Sequence, residues 1–139
     1  MKNDINIAII RRVPTTQMLF YCDADGKSPV VEWLQGLRRE DPIGFMNCLA
    51  RLELLENSGH ELRRPAADFL RGGIYELRAK HKQVQYRMLY FFHGRNVAIV
   101  AHGIIKRGSA VPEVDIIRAD NRKRQFEHNP AQHTHQGEV

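Results

Sequence analysis

Apolar positions along this chain follow two periods. Between Val30 and Leu55 they recur at helical spacing. Val30, Trp33, Leu34 and Leu37 share one face, and Phe45, Leu49, Leu52 and Leu55 share another. From Ile74 onward the apolar residues gather into short runs rich in β-branched and aromatic side chains, which predicts strands over Ile74–Lys80, Val84–Phe92 and Asn96–Ile105. KHKQ and HGRN lie between them as turns, the second with the hairpin residues Gly94 and Asn96. A shorter run, MLFYC from Met18, predicts a first strand that ends in the turn chemistry of DADGKSP. Ser28 and Asp41 are suited to cap helices, each with a proline at the next position, and Gly59 suits a helix C-terminus.

The predicted order is strand, helix, helix, three strands, then a charged helix beginning near Pro112. Helices in a run followed by strands in a run indicate an α+β fold with a largely antiparallel sheet, one face of it covered by the helical hairpin. Residues 60–73, HELRRPAADFLRGG, read as a basic connection. Residues 1–17 are either an N-terminal arm or an extension upstream of a start at Met18. Residues 18–127 form the domain, and 128–139 are expected to be a flexible tail.

Strand alternation sorts the charged residues. Glu76, Arg78 and Lys80 share one face of their strand, while Tyr75, Leu77 and Ala79 point to the core. Arg87 sits inside an apolar run, and His102 and Lys106 share a face of the last strand. A charge in mid-strand is costly unless it reaches water or a carboxylate. Two readings stay open on spacing alone. Glu76 pairs with Arg87 or Arg78 and the charges are structural, or the face is a shallow basic groove that holds phosphates. In such a groove cations would stabilise the charge that develops when a 2′-hydroxyl of RNA attacks its own 3′-phosphate, a reaction that needs no metal. Proton-transfer candidates are Glu76, Lys106, His102 and Tyr90.

Composition narrows the classes. The chain has 139 residues, which suits one domain, and a formal net charge of +5, which favours a polyanionic partner. Cys22 and Cys48 lack metal-ligand or disulfide-framework spacing and suit a reducing cytoplasm. No apolar run approaches the ~20 residues of a membrane helix. His128, His133 and His135 lack a third ligand in a fixed element, so no metal is expected. Trp33 reads as core, and the thiols as small buried hydrophobes. The RADNRKR run from Arg118 is either a solvated helix face or a grip on RNA phosphates.

In order along the chain stand Glu76-Leu77-Arg78, Tyr86-Arg87-Met88-Leu89-Tyr90, His102-Gly103-Ile104-Ile105-Lys106-Arg107, Pro112, and Ala119 with Arg122. Together with DADGKSPVVEWLQGL near the start, this combination resembles the HigB-type branch of the RelE/ParE toxin superfamily across roughly Met18 to Glu127. The resemblance implies a RelE-like fold: an N-terminal strand and helical hairpin packed on the sheet, with a C-terminal helix. It implies the toxin of a type II toxin–antitoxin pair, a metal-independent endoribonuclease that needs no cofactor and cuts mRNA in the ribosomal A site. The candidate catalytic set is Arg78, Arg87 and Lys106 with Glu76, Tyr90 and His102, and the candidate RNA-binding residues are Lys80, Arg107, Arg122 and Lys123. A cognate HigA-like helix-turn-helix antitoxin is the implied partner, in a hetero-oligomeric, cytoplasmic complex. Two positions depart from the pattern: Ile104 replaces an aromatic, and Arg107 replaces a lysine. Arg107 keeps the charge but is effectively always protonated, so Lys106 is the better acid. The alternatives are a ParE-like inhibitor of DNA gyrase, or a non-catalytic phage-derived binding protein of the same fold.

Overall fold

The structure, a computed structural model, describes residues 15–139. The first fourteen positions of the predicted N-terminal arm lie outside the described residues. Strand β1 is Gln17–Phe20. Helix α1, Pro29–Glu40, begins where the Ser28 hydroxyl accepts from the Val31 amide, and Pro29 supplies a first helical position that has no amide to satisfy. The same hydroxyl donates to the Tyr21 carbonyl at 2.6 Å and so ties the helix start to the end of β1.

One residue joins the two helices. Asp41 closes α1 through its backbone and caps α2, Pro42–Ser58, through its side chain, which accepts from the Gly44 amide at 3.0 Å. A connection this short forces the helices into an antiparallel hairpin. Gly59 follows α2 with φ 53°, and its amide bonds back to the Leu55 carbonyl.

The sheet order is β1-β5-β4-β3-β2, with β1 parallel to β5 and the other pairs antiparallel. The strands are β2 Ala67–Arg71, β3 Ile74–His81, β4 Val84–His93 and β5 Val97–Lys106. The fold is therefore α+β and RelE-like, as predicted.

Strand β2 lies within the segment expected to be a connection. It is a short edge strand, and charged residues hide its pattern. The signal for it is Gly72-Gly73, both with positive φ, which turn the chain directly into β3 with Arg71 opposite Ile74.

Helix α3, Glu113–His128, packs on the face of the sheet opposite the α1–α2 hairpin. The sheet therefore has an apolar layer on each side. Under the hairpin lie Leu34, Cys48, Leu52 and Leu55, against Leu77, Tyr86, Met88, Tyr90 and Val100. Under α3 lie Ala119 and Phe126, against Ile74, Leu89, Phe91, Ile99 and Ala101. The expectation of a core on one side only is thus revised: α3 covers part of the second face with a core of its own.

The predicted tail is also docked. Residue Thr134 bridges antiparallel to Tyr21, the His135 amide donates to the Phe20 carbonyl, and His133 is buried with its ring stacked on Tyr21. These contacts cover the outer edge of β1, which would otherwise expose unpaired backbone groups.

Candidate functional site

Cross-strand register builds the site. On the α3 side of the sheet three rows run across the strands. The first is Asp68, Glu76, Leu89 and His102; the second is Arg78, Arg87 and Ile104; the third is Lys80, Gln85 and Lys106. Helix α3 lies against the first row, where Asp115 and Arg122 meet His102. The second and third rows lie at the far ends of the strands. Neither contains a carboxylate.

The charges in these rows have two different surroundings. Arg87 is enclosed, with 8% of its side chain accessible, and Glu76 with 6%. Arg87 Nε donates to Glu76 Oε1 at 2.8 Å, Nη1 to the Tyr86 carbonyl and Nη2 to the Gln85 side chain. Burial pulls the Arg87 guanidinium below its ordinary value, and Glu76 opposes that pull. Arg78 is 30% accessible and bridges Glu76 Oε2 at 3.1 Å and Asp68 Oδ2 at 3.4 Å. Arg64 closes the chain on Asp68 with a 2.8 Å contact. Of the two readings left open by spacing, the pairing of Glu76 is present, and with both arginines. In contrast, Lys80 and Arg107 are exposed and Lys106 is half-buried; none of the three makes an ion pair among the described residues. A shallow cavity of about 210 Å³ lies beside these rows, lined by Arg51, Pro65, Arg78, Ala79, Lys80, Gln85 and Arg87.

The other candidates are placed elsewhere. Tyr90 faces the hairpin core and is fully enclosed; burial drives its phenol far above the ordinary value. Its even position in β4 puts it on the face opposite Arg87. His102 lies on the site face by regular alternation with Ile104 and Lys106; the register shifts only beyond it, where Leu89 pairs with His102 but Tyr90 with Val100. However, both of its ring nitrogens are occupied. Nε2 donates to Asp115 Oδ1 at 2.7 Å, and Nδ1 accepts from Arg122 Nη1 at 3.1 Å. Burial holds its pKa below the ordinary value, which fits this neutral tautomer. Arg122 also donates to the Ala101 carbonyl at 2.7 Å, so it clasps α3 to β5. Lys123 pairs with Glu127 one turn along α3.

The glycine of the His-Gly motif has a packing reason. A β-carbon at Gly103 would come within 2.4 Å of the Trp33 ring, so only glycine lets α1 lay that ring on β5. Gln85 and Arg51 belong to the site surface although the sequence reading missed them. Gln85 was legible, being two residues before Arg87 on the same face. Arg51 reaches the cavity from α2, and only the fold brings it there.

The fold is thus a RelE-like sheet with a basic end, an α-helical hairpin on one face and a single helix on the other. The family model for phage derived protein Gp49-like matches residues 33–124, and the chain belongs to that family. It is a RelE/ParE-like toxin family of toxin–antitoxin systems, so an antitoxin partner is part of its setting. No curated protein matches the chain. No described helix is long and apolar enough to cross a membrane.

Proposed function

We propose that this chain is the toxin of a type II toxin–antitoxin pair and acts as a HigB-type, metal-independent endoribonuclease on mRNA in the ribosomal A site. The observation that carries the reading is the pair of carboxylate-free rows, Arg78–Arg87–Ile104 and Lys80–Gln85–Lys106, at the end of the sheet beyond α3. Lys80, Lys106, Arg107 and the accessible side of Arg78 hold the RNA backbone. Attack of the 2′-hydroxyl oxygen on the adjacent phosphorus, with its proton passing to solvent water, forms a 2′,3′-cyclic phosphate and breaks the bond to the 5′-oxygen. Lys106 donates a proton to that leaving oxygen, and the cations stabilise the charge on the phosphoryl oxygens. Arg87 acts as a positioning residue: it fixes Glu76, which in turn orients Arg78.

Glu76 has both oxygens bound by arginines, His102 has both nitrogens bound, and Tyr90 is on the other face. A surface with so few groups poised for proton transfer depends on an external scaffold to align its substrate, which is what ribosome-bound mRNA supplies. The partner is a HigA-like antitoxin in a cytoplasmic hetero-oligomer. A second reading draws on the same network. Because Arg78 and Arg87 are already paired, the face also suits a non-catalytic binding protein.

The test is a primer-extension map of mRNA during induced expression of the wild type, Lys106→Ala and Lys80→Ala. New 5′ ends inside translated frames, lost in Lys106→Ala, are expected. Growth arrest with intact mRNA would move the reading to gyrase or another target. No arrest would favour the binding protein.

A further inference from the structure

Around the β2 edge from the basic rows lies a second cleft, of about 630 Å³, lined by His60, Leu62, Arg63, Arg64, Ala67, Asp68, Phe69 and Tyr75. Phe69 lines the cleft with 52% of its surface exposed. Its ring is backed rather than loose. It meets Tyr75 edge-on at 5.2 Å, Tyr75 stacks on Tyr90, and His60 stacks on Phe92 at 3.6 Å. Arg63 is fixed by donating to the carbonyls of His60 and Leu62, and it has no carboxylate partner among the described residues. Arg64 shares Asp68 with Arg78, so the cleft and the basic rows join through one chain of contacts.

We propose that this cleft is a nucleobase subsite for single-stranded RNA, in which an unpaired base stacks on Phe69 while its flanking phosphates lie against Arg63 and Arg64. The proposal rests on the RNA-directed reading above and extends its RNA path around the sheet edge. A backed aromatic face beside cations is the combination that holds single strands without reading sequence. A peptide strand adding to β2 fits less well, because the register breaks between Phe69 and Arg71 and bends that edge out of regular pairing.

The test uses the full chain and a short 2′-O-methyl oligoribonucleotide carrying 2-aminopurine, which the reaction cannot cleave. Stacking on Phe69 should quench the fluorophore. Phe69→Ala should abolish the quenching and weaken binding about tenfold, while Phe69→Trp keeps both. Arg63→Gln should lower the salt dependence of binding by about one ion. Binding and quenching unchanged in Phe69→Ala would overturn the proposal. So would a Phe69→Ala chain that binds the oligonucleotide normally but loses a protein partner. If Phe69-dependent quenching persists in a wild type that cuts no mRNA, the subsite stands and the nuclease reading falls. Normal mRNA cleavage with quenching independent of Phe69 removes the subsite alone.

Discussion

Both faces of this sheet carry an apolar layer, yet only one of them also carries rows of charge. The hairpin face is covered by α1 and α2, and Tyr86, Met88 and Tyr90 are all buried against them. The α3 face is covered at one end by Ala119 and Phe126 and carries basic rows at the other. Different polar anchors hold the two layers. On the hairpin side, Asp41 accepts from the Tyr86 hydroxyl at 2.5 Å and lies 2.8 Å from His81 Nδ1, so one carboxylate caps a helix and ties it to the β3–β4 hairpin. On the other side, His102 is held between Asp115 and Arg122. Charge within a strand says little about role until its partners are known. Arg87 is spent on Glu76, whereas Lys106, one row further on, is free of any ion pair among the described residues.

The largest expected effect comes from breaking the buried pair on one side. Arg87→Ala leaves Glu76 enclosed without its closest partner and should cost about 3 kcal/mol of stability. Urea denaturation would show this as a lower midpoint, and any loss of activity would follow from loss of fold together with a loosened Glu76 that no longer orients Arg78. Lys106→Ala should do the reverse. Its unfolding midpoint should match the wild type, while cleavage falls about a hundredfold in a ribosome-dependent assay. Arg78→Ala should fall between them, with about 1 kcal/mol lost, since the side chain is partly solvated, and a partial loss of cleavage.

Acid should separate the two layers in order. His102 has a depressed folded pKa, so its contribution is complete above its ordinary value of 6.5 and is lost as pH falls through the folded value. Asp41 is held below its ordinary 3.8, first by the Tyr86 hydroxyl, so its contribution persists until pH falls below that value. The α3 layer should therefore loosen first, visible as a decline in Tm beginning near pH 6.5 that His102→Asn removes. The hairpin layer should hold until about pH 4, and Asp41→Asn should flatten that second decline.

Much of this was legible in the sequence. The Ser28-Pro29 and Asp41-Pro42 signals placed both helix starts, and alternation put Glu76, Arg78 and Lys80 on one face. The same alternation places Tyr90 opposite Arg87, although the motif resemblance drew the two together. Strand β2 was hidden because an edge strand needs only one apolar face; Asp68 and Arg71 masked it. The docked tail depends on His133 and Thr134 meeting Tyr21 across the whole chain, which no local pattern encodes. The pairing of Arg78 and Arg87 with one carboxylate was open on spacing because it depends on lateral register as well as on alternation.

On the proposed function, buried charge and working charge on this face are separable. The most direct measurement is primer-extension mapping with the double variant Glu76→Leu/Arg87→Met beside Lys106→Ala. Replacing both members of a buried ion pair with apolar side chains is often neutral for stability, so the double variant should fold. The account predicts that it still cuts translated mRNA, within about tenfold of the wild type, because Asp68 still holds Arg78 and the Lys106 row is untouched. A folded double variant as inactive as Lys106→Ala would contradict the account and place Arg87 itself on the RNA.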